Sequence, residues 1–141
     1  MSDDTRRSVS LERVETGVYR ARNDRGGELV FGSHAGAGFT PVELLLAAIA
    51  GCSAVDVDVV TGRRAEPERF EVRCSADKVR ADGGSQLENI ELTFSLRFPA
   101  GADGDAAREI LPRAVAASHD RTCTVSRTIE RGTPVTVRVE D

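Results

Sequence analysis

The clearest hydrophobic pattern in the chain is a strict alternation of apolar and polar residues between Gln86 and Phe98. Five apolar side chains there are separated by single polar residues: Ile90, Leu92, Phe94, Leu96 and Phe98. This period of two is typical of a β-strand with one face on the core. A similar run covers Glu68 to Arg80, and the segment Ala81–Ser85 between them contains Asp, Gly, Gly and Ser, which are turn residues. The two runs predict an antiparallel hairpin.

The stretch from Val42 to Gly62 predicts a long helix, with Thr40 as its N-cap and Pro41 in its first turn. Its apolar residues occur on every side of the helix: Leu44, Leu45, Leu46, Ile49, Val55, Val57 and Val59. We therefore expect a central helix that is surrounded by protein. Three acidic residues interrupt the stretch, Glu43, Asp56 and Asp58. Such charges are costly in lipid, so we expect a buried helix and no membrane anchor.

Shorter patterns fill the N-terminal part of the chain. After a polar and frayed start through about Ser10, the runs Leu11–Arg22 and Glu28–Gly32 predict two strands, joined by a turn at Asn23–Gly27. The small residues of Gly32–Gly38 then predict a flexible loop. That loop lacks the lysine and the hydroxyl residue of a phosphate-binding loop, so we do not expect it to bind phosphate.

The C-terminal part predicts a second helix over Asp105–His119, in which Pro112 either bends the helix or marks its true start. Alternating Val135, Val137 and Val139 predict a closing strand. No linker or repeat divides the 141 residues, so residues 1–141 are expected to form a single domain. Strands, a long helix, a hairpin, a helix and a strand in this order indicate an α+β fold.

Composition and charge narrow the function classes. Hydrophobic residues make up 40% and charged residues 30% of the chain, as in ordinary globular proteins. The 19 basic and 23 acidic residues give a net charge of -4, which does not favour nucleic acid as a partner. The N-terminus has no apolar segment of the secretory type, and the expected location is the cytoplasm.

The chain has three cysteines, and their surroundings differ. Cys74 alternates with polar residues on the apolar side of a strand and is read as core filling. Cys52 lies among small residues in the middle of the long helix, where either a core role or a catalytic role is possible. Cys123 stands in a polar segment where a short helix can begin, and a helix N-terminus beside arginines favours a thiolate.

Two of these cysteines lie in motifs that resemble the family of osmotically inducible protein C and organic hydroperoxide resistance proteins (OsmC/Ohr). The first motif is Pro41–Val57, with the sequence PVELLLAAIAGCSAVDV, and the second is Cys123–Thr128, with the sequence CTVSRT. The order of strands, helix, hairpin and helix also agrees, so the resemblance covers about residues 18–139.

The resemblance implies an intertwined homodimer with antiparallel sheets around the long helices, which would explain why the helix is apolar on every side. It also implies a cysteine-based peroxidase of the oxidative stress response. Cys52 would attack an organic hydroperoxide, Cys123 would resolve the product as a disulfide, and an external dithiol of the lipoyl type would restore both thiols. No metal or bound cofactor is implied.

The chain departs from the family pattern beside the thiol. Active members carry a glutamate directly after the proline of the first motif, and Val42 stands there in this chain. Glu43 comes one residue later and lies about 180° around the helix from Cys52, so only a second chain would bring it to that thiol. Arg25 is the best candidate for the supporting arginine, with Arg22 behind it.

In these departures the chain resembles a YhfA-like branch of the family. Whether this chain is an enzyme is therefore left open. Asp56 lies one turn beyond Cys52 and is expected to be a buried polar contact, because a carboxylate there would disfavour a thiolate. The alternative function is a non-catalytic, dimeric binding module that has lost the supporting glutamate. A third interpretation is a metal site formed by Cys52, His119 and Cys123, although no metal-binding motif accompanies them.

Overall fold

The structure is a computed structural model that describes residues 5–33 and 38–140. The chain divides into two compact units, residues 1–45 and residues 46–141. Residues 34–37 of the predicted small-residue loop lie outside the described residues. The single-domain organisation stays a prediction.

The first unit contains an antiparallel sheet of three strands in the order β1 (Ser10–Glu15), β2 (Val18–Arg22) and β3 (Glu28–Gly32). The prediction of one continuous strand up to residue 22 was wrong, because the chain reverses between β1 and β2 at Gly17. This glycine adopts a φ of 76°, which few other residues tolerate.

The long helix α1 (Pro41–Gly62) begins with a capping box. The Thr40 hydroxyl accepts a hydrogen bond from the Glu43 amide at 3.2 Å, and the Glu43 carboxylate accepts one from the Thr40 amide at 3.0 Å. Each side chain thereby satisfies a backbone donor that has no partner inside the helix. The predicted N-cap at Thr40 is confirmed.

One stripe of α1 is buried in the single chain, and it consists of Ile49, Ser53, Val57 and Thr61. On other sides Val55 is 64% exposed and Val59 is 52% exposed. Enclosure on every side would therefore need a second molecule. Among the described residues α1 alone is long and apolar enough to cross a membrane, a criterion that core helices of soluble proteins also meet.

The second unit contains the predicted hairpin, formed by β4 (Arg69–Ala81) and β5 (Gly84–Arg97). Asp82 and Gly83 turn the chain with φ angles of 50° and 80°, the left-handed pair of a type I′ turn. Cys74 lies opposite Leu92 and is half-buried, on the less exposed side of the alternation that the sequence predicted.

Helix α2 (Ala102–Ala117) begins three residues earlier than predicted, and Pro112 lies inside it. Gly104 is buried in its first turn, where a Cβ atom would stand 1.7 Å from the carbonyl oxygen of Pro99, so only glycine fits. After Ala117 the chain winds more widely, as a π-helical segment over Ser118–Thr122. The segment closes with a hydrogen bond from the Cys123 amide to the Ser118 carbonyl at 2.8 Å.

A short helix, α3 (Thr124–Arg131), follows the π-helical segment, as the sequence around Cys123 predicted. The closing strand predicted at Val135, Val137 and Val139 was wrong for the single chain. Residues 133–140 form no strand, and these three valines are between 82% and 90% exposed because nothing in the described chain pairs with them. Antiparallel sheets combined with helices confirm the α+β fold class.

Candidate active site

The structure brings Cys52 and Cys123 together. Cys52 lies in the middle of α1 and is half-buried, whereas Cys123 immediately precedes α3 and is 0% exposed. Both residues belong to the second unit, and their thiols are close enough for each to shift the pKa of the other. Both thiols are free. Two cysteines that are separated by more than half the chain in sequence are thus close together in space.

Both sulfurs lie at the N-terminus of α3. Cys123 is the N-cap residue, and its sulfur accepts a hydrogen bond from the Ser126 amide at 3.5 Å. The Ser126 hydroxyl oxygen lies 3.3 Å from the same sulfur. The amides of Val125 and Thr124 are near the Cys52 sulfur, where they oppose the rise that burial causes in its pKa. The first N–H groups of a helix have no internal partner and carry its positive dipole end, so this position suits a thiolate.

The two thiols differ in acidity. Burial acts to raise the pKa of Cys123, but its interactions with the Ser126 hydroxyl, the Ser126 amide and the Cys52 thiol outweigh burial and leave the pKa lowered. Burial raises the pKa of Cys52, and the neighbouring Cys123 raises it further, against the opposing effect of the Val125 and Thr124 amides. The Cys123 thiol is therefore the more acidic of the two.

The carboxylate of Asp56, on α1, forms hydrogen bonds with the π-helical segment. The Asp56 carboxylate oxygen Oδ2 accepts hydrogen bonds from the hydroxyls of Ser118, at 2.8 Å, and Thr122, at 2.9 Å. The hydroxyl oxygens of Ser53 and Ser118, both buried, are 3.1 Å apart. Because Ser118 donates its proton to Asp56, Ser53 is the donor of that bond. The expected polar contact of Asp56 is thus present, and its charge acts to raise the pKa of Cys123.

A cavity of about 390 Å³ lies beside this site, within the second unit. Apolar side chains from four elements form much of its wall, namely Ile49, Ile90, Leu92, Phe94, Val115 and Ile129. Ser126, whose hydroxyl oxygen lies 3.3 Å from the Cys123 sulfur, also lines the cavity, whereas Cys52 and Cys123 themselves do not. The volume falls in the range of small-molecule sites.

The other predicted site residues lie in the first unit. Arg25 occupies the turn between β2 and β3, where its amide donates to the Asn23 side chain at 3.1 Å. Arg22 forms ion pairs with Glu12, at 2.8 Å, and Glu28, at 2.9 Å. Glu43 forms the capping box of α1. A role for Arg25 or Glu43 beside the thiols stays a prediction.

The metal-site interpretation finds no support in the described part of the chain, where no group of three or more His, Cys, Asp or Glu side chains is placed to hold a metal ion. His119, which that interpretation requires, lies 3.5 Å from the Glu130 carboxylate and is half-exposed.

Sequence reasoning missed four hydroxyl residues of the site, Ser53, Ser118, Thr122 and Ser126. Ser126 had a local signal, since it lies three residues after Cys123, which is the spacing between an N-cap side chain and the amide that it binds. The other three had no local signal, because their partners are far apart in sequence.

Comparisons with known proteins identify the family of this chain. Residues 33–138 match the model of the family described as "OsmC-like protein". An uncharacterized protein of Mycobacterium tuberculosis (strain ATCC 25618 / H37Rv) is 32% identical over 139 residues, which cover 93% of this chain and 94% of that protein.

Solved structures share the fold. An OsmC-like protein of unknown function from Vibrio cholerae has a TM-score of 0.70 at 12% identity, covering 87% of this chain and 92% of the other. The organic hydroperoxide resistance protein OhrB of Bacillus subtilis has a TM-score of 0.55 at 21% identity, covering 90% and 93%. At these identities the likeness concerns the fold alone.

Proposed function

The chain belongs to the OsmC-like protein family, and on this premise we propose that it reduces organic hydroperoxides through Cys52 and Cys123. The observation that supports the proposal most directly is that two free thiols near the N-terminus of α3 are close enough to shift each other's pKa. Reduction of a peroxide by thiols needs one sulfur that an oxidant can reach and a second one close enough to form a disulfide. The half-buried Cys52 is the sulfur that an oxidant reaches, and the buried Cys123 is the sulfur that forms the disulfide with it.

The reaction begins with one proton shared between the two sulfurs. When that proton moves from Cys52 to Cys123, the Thr124 and Val125 amides stabilise the Cys52 thiolate. This thiolate attacks the terminal oxygen of the peroxide and takes up the OH group. The O–O bond breaks, and the alkoxide leaves and takes the proton from Cys123 to become an alcohol, so Cys123 is again a thiolate. Cys52 is now a sulfenic acid.

The second step uses the neighbouring sulfur. The Cys123 thiolate attacks the Cys52 sulfenic sulfur, the S–S bond forms, and the released hydroxide becomes water on protonation. An external dithiol then reduces the disulfide by two exchange reactions and is itself oxidised to a disulfide. One peroxide and one dithiol are consumed in each cycle, and both protein thiols are regenerated.

The test is to mix the reduced protein with an organic hydroperoxide and then analyse it by mass spectrometry under non-reducing conditions. We expect the loss of two hydrogens and a peptide that joins Cys52 to Cys123, together with continuous peroxide consumption once a dithiol is added. If both thiols stay free in excess hydroperoxide, the proposal fails.

A homodimer is part of the proposal. The exposed Val55 and Val59 on α1 support it, because apolar side chains on a central helix are normally covered. Size-exclusion chromatography with light scattering should give twice the mass of the chain, and Val55→Glu should shift the protein towards the monomer. Lys78→Glu, a charge change on β4, is the matched control. A wild-type monomer at micromolar concentration would contradict this part.

The cavity favours a second candidate, a non-catalytic binding module. Its apolar wall beside the thiols would hold a small apolar molecule whether or not the sulfurs react. Native mass spectrometry of the purified protein should then reveal a retained ligand, while peroxide turnover with a dithiol stays at the level of the Cys52→Ser variant. Turnover well above that level would rule this candidate out.

A further inference from the structure

Asp56 has contacts that the proposed reaction does not use. It lies one turn after Cys52 on α1 and is half-buried. Its oxygen Oδ2 binds the hydroxyls of Ser118 and Thr122, which are the first and the last residue of the π-helical segment. A single oxygen on the Cys52 helix thus holds both ends of the segment that leads into Cys123.

The π-helical segment needs such a restraint. Wide helical turns are rare and occur mostly as single turns inside longer helices, often at functional sites. Here the turn separates α2 from α3 and leaves Cys123 with a φ of -76° and a ψ of 99°, outside the helical region. That backbone conformation makes Cys123 the N-cap of α3 and brings both sulfurs to the same helix start.

A further hydrogen bond, from a buried serine of α1, supports the position of Ser118. The Ser53 hydroxyl donates to the Ser118 hydroxyl, so the chain of hydrogen bonds runs from Ser53 through Ser118 to Asp56. Ser53 and Ser118 are 2% and 1% exposed. Hydrogen bonds to a charged group are stronger than those between neutral groups, and burial limits competition from water.

We propose that Asp56 is the positioning residue of the thiol pair, which holds the π-helical segment so that Cys123 faces Cys52 at the start of α3. The inference rests on the proposed function for its purpose, but its geometry does not depend on the substrate. Two titratable groups act on the Cys123 sulfur, Cys52 and Asp56, and both come from α1. Asp56 therefore has two opposing effects, since its hydrogen bonds place Cys123 while its charge disfavours the thiolate.

Two substitutions separate these effects. Asp56→Asn keeps an oxygen that accepts both hydroxyl bonds but removes the charge, so the Cys52–Cys123 disulfide should still form and thiol alkylation should begin at lower pH. Asp56→Ala removes the acceptor as well, so the disulfide should become less favourable. Asp58→Asn is the matched control, because it removes an exposed carboxylate two residues further along the same helix.

The measurement is the equilibrium between the Cys52–Cys123 disulfide and dithiothreitol, which reports how well the two sulfurs are placed and involves no peroxide. For Asp56→Ala, which loses two hydrogen bonds to a charged group, we expect the equilibrium constant to fall by roughly tenfold or more. Asp56→Asn and Asp58→Asn should stay within about threefold of the wild type, less than one such bond is worth. Thermal unfolding followed by circular dichroism checks that each variant is folded.

Ser118→Ala provides a second route if Asp56→Ala does not fold. It removes one of the two bonds to Asp56 and should weaken the disulfide in the same direction. A wild-type equilibrium constant in folded Asp56→Ala and Ser118→Ala would overturn the inference, whatever the pH profile of Asp56→Asn. A protein that forms the disulfide with dithiothreitol but ignores hydroperoxide would instead refute the proposed function and leave the role of Asp56 intact.

Discussion

The surroundings of Cys52 and Cys123 differ in a way that explains why the site needs both. Cys52 lies in the middle of a helix, where neighbouring amides are already bonded within the helix, and it can be reached from outside. Cys123 is sealed from solvent but lies at a helix start, where the Ser126 hydroxyl and amide face its sulfur. The more accessible sulfur and the more acidic sulfur are thus different residues, and their proximity lets the pair combine both properties.

Replacement of either cysteine should have the largest effect on peroxide reduction. In Cys52→Ser and Cys123→Ser, steady-state reduction of an organic hydroperoxide should fall by about 100-fold or more, because a hydroxyl cannot form the sulfenic acid or the disulfide. Peroxide consumption in the presence of a dithiol measures this. Cys74→Ser, on β4, is the control and should keep wild-type activity; equal losses in all three variants would mean that the pair has no special role.

Ser126→Ala should reduce the acidity of Cys123 alone. The hydroxyl that lies 3.3 Å from the sulfur helps to lower its pKa, so the thiolate should form at higher pH in the variant. Alkylation of Cys123 at neutral pH should then slow by about fivefold, the value of one ordinary hydrogen bond. Peptide mass spectrometry after timed iodoacetamide treatment follows each cysteine separately. Thr128→Ala, on the same helix, should leave the rate unchanged.

When either cysteine of the pair is replaced, the pH dependence of alkylation of the remaining one should shift towards that of its lost partner. In Cys123→Ala, Cys52 loses a neighbour that raises its pKa, so it should ionise at lower pH. In Cys52→Ala, Cys123 loses an interaction that lowers its pKa, so it should ionise at higher pH. We expect changes of about threefold in alkylation rate at a fixed pH, below the value of a full hydrogen bond. Profiles that stay as far apart as in the wild type would show that the sulfurs do not interact.

Glu43→Gln should have the smallest effect on the thiols. Glutamine can replace the carboxylate in the capping box, so the free energy of unfolding should fall by no more than about 0.5 kcal/mol, whereas Thr40→Ala should cost about 1 kcal/mol. Urea denaturation measures both. Unchanged peroxide reduction in Glu43→Gln would confine this residue to the helix cap, whereas a large loss would support its predicted role beside the thiol of a second chain.

Local patterns predicted much of this fold. The alternation in β4 and β5 specified the hairpin, and Thr40 with Pro41 marked the start of α1, because each signal lies within a few residues of the structure that it forms. The polar segment around Cys123 likewise predicted the start of α3. The reversal at Gly17 was missed, since a single glycine within a run of strand-forming residues is a weak turn signal.

The rest of the site depends on contacts that no local pattern records. Asp56 is 62 residues from Ser118 and 66 from Thr122, so their hydrogen bonds exist only once the chain has folded. The π-helical segment is equally hidden, because its residues are compatible with an ordinary helix. The valines of the C-terminal tail show the opposite case, in which a clear strand pattern has no partner within the single chain.

The wide turn over Ser118–Thr122 also limits how this region can change in length during evolution. A π-helical turn contains one more residue than the α-helical turn that it replaces. Deletion of any one of these residues would let the preceding helix continue, and every later residue would rotate by about 100° around the axis. Homologous chains in which both cysteines form a pair should therefore tolerate substitutions in this segment more readily than deletions.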